Sequence, residues 1–396
     1  MSFRSRIASH LSSATRLKAR FVADYALPHY LPRIVRHKWK TAIGGKTFPD
    51  ELFVFVTNRC NARCKHCFYI DELGDTSGEW SLADWERLAA TLPELEHLTL
   101  TGGEALLSPD INDIAFALCK AAKPKVLTVI SNGLRPQAVE DFALRWLELG
   151  DKDFGGPRPV LDVLFSLDGF EATHNDTRGV PGAWTNVNDS IKRLARLRDA
   201  NLGRIDVGVV TVITDSNKHE LKELAAYVSQ QLQVRQGFEF VRGTNTSVWG
   251  LPREMRADFN PSTHSLPPRD ELSGIVDLLR ELNRQAGSRA NFEFFTTNVL
   301  TARMLQGDFH GVPPCVSAGR TTGVLYPNGD IACCEFMKPF GNLRDDFAYD
   351  FAAAWHSSAA DKCRQAARRC RCTHGCYLSR NIALSPSGLM TIVKEL

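Results

Sequence analysis

Beyond residue 50 the chain alternates short apolar runs with stretches whose apolar positions recur every three or four residues. The runs ELFVFVT, HLTLTGG, KVLTVISNG, VLDVLFSLDG, RIDVGVVTVIT and GFEFVRG predict six strands. Between them, SLADWERLAATL, LLSPDINDIAFALCKAA, AVEDFALRWLELG, NVNDSIKRLARLRDA and NKHELKELAAYVSQQL carry the helical period, with Ser81 the expected N-cap of the first. Such alternation implies parallel strands joined by helical crossovers. Six units within about 200 residues fall short of a closed eightfold barrel. The expected fold class is therefore α/β, a partial (β/α)6 barrel of the TIM type over residues 49–245.

Residues 244–270 are Pro-rich, polar and unpatterned, and open a linker segment (246–308) that includes helical patterns around ELSGIVDLLRELNRQA and NVLTARMLQG. A cysteine-rich segment (309–396) follows. At the other end, residues 1–48 hold ten Lys/Arg and one acid, a net of +9, which leaves −6 of the overall +3 for the rest. Within this head Ile7, Leu11, Ala14, Leu17 and Phe21 recur at helical spacing among arginines and lysines. Such a helix either packs its apolar stripe on the following domain or lies on an anionic membrane, so peripheral membrane contact through residues 1–22 is one expectation. The net acidity of residues 49–396 argues against a large phosphate footprint, and no nucleic-acid partner is expected. The chain has no apolar run long enough for a transmembrane helix and no secretory h-region, so a cytoplasmic location is expected.

Eleven cysteines change the picture. Cys119 stands alone in a helical pattern and reads as a small core residue. The other ten form two groups, and without an export signal such clusters point to metal rather than disulfides. Cys60, Cys64 and Cys67 form a CxxxCxxC triad just after the first strand. Iron–sulfur clusters usually take four thiolates, so three would leave one iron open to a bidentate small molecule. The alternative is structural zinc, with His66 as fourth ligand; otherwise His66 packs beside a cluster. GGE ends the second strand, SNG the third, SLDG the fourth and RG the sixth, and in such folds functional groups gather at these ends. Gly102 and Gly103 would let the backbone pass close to a ligand, and Glu104 could accept hydrogen bonds from an ammonium group.

The triad, with GGE and SLDG, resembles the radical S-adenosylmethionine (SAM) family. The resemblance implies a 4Fe–4S cluster on Cys60, Cys64 and Cys67 whose open iron binds the amino and carboxylate groups of SAM. Reductive cleavage of SAM would give a deoxyadenosyl radical that abstracts a substrate hydrogen, with the electron coming from a donor such as flavodoxin or ferredoxin. By the same resemblance SAM would meet Gly102, Gly103 and Glu104 (GGEP elsewhere, with Ala105 for the proline here), Asn132, Ser166 and Arg178. Ser166, Asp168 and Arg178 match an SLDG…HD…RG signature, with His174-Asn175-Asp176 in place of HD. Phe68 either stacks on adenine or packs in the barrel.

Cys315-x13-Gly329-x4-Cys334 resembles the opening motif of SPASM/twitch extensions, and LYPNGDI between them reads as a hairpin. One auxiliary 4Fe–4S cluster is expected on Cys315, Cys334, Cys372 and Cys376, with Cys370 or His374 as possible replacements for Cys372. Cys333 would face the opposite way, and Cys363 on a helix needs no role. The implied reaction is oxidative modification of a peptide or protein side chain, the auxiliary cluster taking the second electron. A sugar or aminocyclitol, or a membrane lipid, is the alternative substrate, and a zinc-stapled binding protein is the non-enzyme alternative. No catalytic base can be named from these residues.

Overall fold

In this computed structural model the described residues are 27–42, 47–242, 248–257, 265–285 and 292–395; the amphipathic pattern of residues 1–22 lies outside them. All six expected strands form: β1 (Glu51–Phe55), β2 (His97–Thr101), β3 (Val126–Ser131), β4 (Val160–Ser166), β5 (Ile205–Ile213) and β6 (Arg235–Phe240). They pair in parallel and in chain order, as right-handed crossover units do. The period of two is visible along β4, where Leu161, Val163 and Phe165 are buried while Asp162, Leu164 and Ser166 turn to the barrel interior. Ser166 reaches the interior by this parity.

Helix α1 (Leu27–Ala42) precedes the barrel, and α2 (Leu82–Ala89), α3 (Ile111–Ala122), α4 (Pro136–Glu148), α5 (Glu171–Arg178), α6 (Ala183–Ala200) and α7 (Leu221–Tyr227) alternate with its strands. Ser81 caps α2 in a full capping box with Asp84, which satisfies two otherwise orphaned backbone N–H groups. Cys119 is fully buried on α3, as expected of a core residue.

The cysteine-rich segment joins the barrel's own sheet. Strand β8 (Thr322–Leu325) pairs in parallel with β1, Glu51 opposite Thr322 and Val54 opposite Leu325, while β7 (Val248–Trp249) lies apart. The expected hairpin then returns as β9 (Asp330–Ala332), and β10 (Gly341–Asn342) ends a nine-stranded sheet. At the opposite edge, α8 (Leu272–Gln285) and α9 (Phe292–Leu305) bury Leu272, Ile275, Leu279 and Val299 against Ile213, Leu221 and Phe240. Beyond β10 come α10 (Phe351–Trp355), α11 (Ser358–Ala367), β11 (Arg371–Cys372), α12 (Gly375–Ala383) and α13 (Pro386–Glu395). Leu378 and Ile382 of α12 meet Leu300 and Met304 of α9 and Tyr30 and Ile34 of α1. Among the described residues no helix is long and apolar enough to cross a membrane.

Trp355 locks the extension to the barrel. Its ring lies where a Cβ on Gly323 of β8 would sit (2.7 Å), and its Nε1 donates to the Thr47 carbonyl at 3.1 Å. Trp355→Ala is expected to cost about 3–5 kcal/mol, read as a lower denaturation midpoint in urea with an unchanged slope.

Candidate active site

The three cysteines of the triad sit on a loop that the chain ties down at both ends. Glu79 holds its start: Thr57 Oγ1 and Asn58 N donate to Oε1 at 2.7 and 2.6 Å, and Arg59 pairs with Oε2 at 2.5 Å. Arg63 N donates to Arg178 O at 3.0 Å and Lys65 N to Thr177 O at 2.9 Å, so the later part of the loop leans on the end of α5. A Cβ at Gly102 would stand 2.4 Å from Thr57 O, and one at Gly103 2.3 Å from Arg59 O. The two glycines therefore make room for the chain's own backbone, which differs from the expected reason, a ligand's approach. Gly103 N and Glu104 N seal the contact by donating to Thr57 O and Arg59 O at 2.8 and 2.7 Å.

Glu104 is buried, and its carboxylate is already engaged by the chain. It accepts from Ser131 Oγ (2.9 Å), Asn132 N (2.7 Å) and Leu106 N (3.4 Å), joining the end of β2 to that of β3. A carboxylate has about four lone-pair sites, so one remains for an ammonium group. Asn132 Nδ2 donates to Asn61 Oδ1 in the cysteine loop at 2.9 Å. Burial pushes the Glu104 carboxyl above its ordinary value, against the pull of the Asn132 and Ser131 bonds.

Arg178 is also buried. One guanidinium nitrogen lies 3.4 Å from Cys64 Sγ and another 2.6 Å from Asp168 Oδ2. Burial opposes its charge, but Asp168 and the Cys64 thiol outweigh it and hold the arginine protonated. Asp168 in turn accepts from Val212 N at 3.1 Å, and its own N–H donates to His174 Nδ1 at 3.2 Å. This arrangement contacts the cysteine loop at Cys64, so Arg178 is placed to offset thiolate charge.

Cys60, Cys64 and Cys67 open onto a cavity of about 1500 Å3, which also touches Phe68, Gly102, Gly103, Glu104, Asn132, Ser166 and Arg178. The three cysteines and all seven expected SAM-contacting residues are thus gathered on one cavity, while Asp168 and His174 lie behind it. Burial raises the Cys60 thiol and pushes Cys67 up to about 12 with help from Cys64, so metal binding here would release protons. Three thiols with a buried guanidinium beside one of them suit an anionic iron–sulfur cluster. Among the described residues no three His, Cys, Asp or Glu side chains are gathered as for a single metal ion. A cluster's thiolates bind separate irons and stand wider apart.

The expected auxiliary ligands differ in burial. Cys315, Cys334 and Cys372 are buried in one apolar cluster, and Cys370 lies with them. Cys376 packs partly buried against the edge of that cluster and also lines the large cavity, its Sγ 3.8 Å from Glu239 Oε1. His374 Nδ1 accepts from Arg242 at 3.0 Å and its Nε2 donates to Glu335 at 2.8 Å, so both ring nitrogens are engaged by side chains. Cys333, just past the end of β9, meets Cys363. Arg242 also covers the Phe68 ring at 5.2 Å, which gives Phe68 a packing partner. The RG at the end of the sixth strand signalled Arg242; nothing local marked Glu79 or Glu239.

Residues 54–228 match the family model described as the radical SAM superfamily. The chain carries a radical SAM domain. It is 31% identical over 204 residues to pre-heme d1 synthase of Dinoroseobacter shibae, covering 50% of this chain and 45% of that protein. It is 30% identical over 201 residues to the sporulation killing factor maturation protein SkfB of Bacillus subtilis, covering 49% and 42%. The matched stretch thus spans less than half the length of either relative. In fold, the radical SAM domain and its extension resemble Streptococcus suis SuiB bound to its precursor peptide SuiA, with a TM-score of 0.51, 16% identity, and 83% and 70% of the two chains covered.

His174 supplies a pH test of the radical SAM domain's interior. Burial, then Arg178, lowers it to about 4, while the unfolded chain protonates near pH ~6.5. Stability is full above that unfolded value and falls as the pH drops towards 4, by up to about 1.4 kcal/mol per unit, because only the unfolded chain takes the proton. His174→Gln is expected to flatten this slope in urea unfolding followed from pH 7.5 to 5.

Proposed function

We propose that the chain is a radical SAM enzyme that takes a hydrogen atom from a peptide or protein side chain and leaves it oxidised. The observation that carries this reading is the triad of thiols and the Gly102–Glu104 edge meeting on one cavity. With a 4Fe–4S cluster and SAM bound, the site supplies a hydrogen abstractor strong enough for an unactivated carbon. Cys60, Cys64 and Cys67 would hold the cluster, and Arg178 offsets its charge from the Cys64 side. The backbone at Gly102–Gly103, with Asn132 and Ser166, lines the same space and would orient SAM, while Glu104 keeps the β2 and β3 ends in register. The cavity is far larger than SAM requires, which leaves room to hold the reacting carbon close and exclude water.

Cys315, Cys334 and Cys372 would hold one auxiliary cluster, which would supply an acceptor for the electron released on oxidation. A flavodoxin or ferredoxin fits the role of electron donor. Peptide substrates are supported by SkfB, a maturation protein by name, and by SuiB with its precursor peptide. A small-molecule substrate is the second reading, favoured by the likeness to pre-heme d1 synthase.

Anaerobic reconstitution, then dithionite reduction with SAM, tests the chemistry. The expected result is about eight irons per chain, from two clusters of four, and 5′-deoxyadenosine formation that Cys60→Ala abolishes. Zinc without iron, and no SAM cleavage, would replace the enzyme with a metal-stapled binding protein.

A further inference from the structure

The auxiliary cysteines divide by the side of the sheet they face. Cys370 and Cys372 flank Arg371 along an extended segment that pairs with β7, Cys372 opposite Val248, so their side chains share a face. That face meets Cys315 and Cys334, and all four thiols are buried in one apolar cluster away from the large cavity.

Cys376 stands only partly buried at the edge of that cluster. It lies in the first turn of α12, after the extended N-cap His374, and it lines the cavity that Cys60, Cys64 and Cys67 also line. Glu239 projects from β6 with its Oε1 3.8 Å from the sulfur, and Arg242 lies 3.8 Å from the other carboxylate oxygen.

We propose that Cys370, and not Cys376, closes the auxiliary quartet with Cys315, Cys334 and Cys372, and that Cys376 is a free thiol of the substrate cavity paired with Glu239. This rests on the two-cluster reading above. It has two consequences. A cluster held by four thiolates has no vacant iron, which fits electron relay rather than substrate binding. The cavity also gains a thiol–carboxylate pair, a proton-carrying group within the space where the substrate is held.

The test uses the full chain, reconstituted anaerobically as wild type, Cys370→Ser, Cys376→Ser and Glu239→Gln. Iron content is measured, and native protein is treated with iodoacetamide before peptide mass spectrometry. Wild type and Cys376→Ser are expected to hold about eight irons and Cys370→Ser about four. In the cluster-loaded wild type, which does not depend on any variant folding, Cys376 should be alkylated while Cys370 is protected. Removing the neighbouring negative charge in Glu239→Gln should speed alkylation of Cys376 several-fold, since a thiol ionises more readily without it. Cys376→Ser at about four irons with Cys370→Ser at about eight, or Cys376 protected until the iron is chelated, would overturn the assignment. Wild type holding no iron would overturn the two-cluster reading itself, a result the variants cannot mimic.

Discussion

The close passage of two backbone segments governs the site. Thr57–Arg59, leaving β1, runs against Gly102–Glu104, leaving β2, at a separation that admits hydrogen bonds of 2.8 and 2.7 Å but no Cβ between. A loop with three metal-binding thiols has no regular structure to hold it. Its position is inherited from the strand ends on either side, and from Glu79, whose carboxylate spans Thr57, Asn58 and Arg59. Because neighbouring parallel strands end at the same level, what is fixed at β1 and β2 is passed on to β3 through Glu104 and Asn132. The cysteine loop, the glycine edge and the SNG turn therefore behave as one body.

Charge is handled by burial in pairs. Arg178 and Asp168 are both nearly inaccessible, and breaking such a pair by removing one partner costs about 3–5 kcal/mol because the other charge is left without compensation. Stability alone would be served as well by apolar residues of similar size. The position of Arg178, 3.4 Å from Cys64 Sγ, gives the pair a second role beside a site that collects negative charge. A similar arrangement recurs where the barrel meets the extension. There Arg242 lies between Phe68, adjacent to the cysteine loop, and the Glu335–His374 pair, adjacent to the second cysteine group. Burial works against this guanidinium, but Glu335 and Glu239 outweigh it.

The extension's attachment has a physical logic of its own. A partial barrel leaves β1 with an unpaired edge, and an exposed edge invites association with other chains. Here β8 occupies it, and α8, α9 and α12 cover the far side near β6. The same pairing that protects the edge carries Cys315 and Cys334 to the side of the barrel where the cysteine loop emerges.

The six strands, their order and the residues at their ends were legible in the chain, because period two, period 3.6 and turn chemistry are local properties. Parity alone sent Ser166 to the barrel interior. The triad spacing likewise named its chemistry, since three thiols within eight residues leave few other uses. Contacts between distant segments were not legible. Nothing near Glu79 signals that it will clamp residues more than twenty positions earlier, and nothing at Thr322 signals a parallel partner at Glu51. Cys376 shows the limit most clearly: spacing paired it with Cys372, and the start of α12 also brings it to the large cavity, beside Glu239. Sequence spacing measures distance along the chain, while a ligand set depends on direction in space, and only the packing of α12 against α9 and α1 decides that direction.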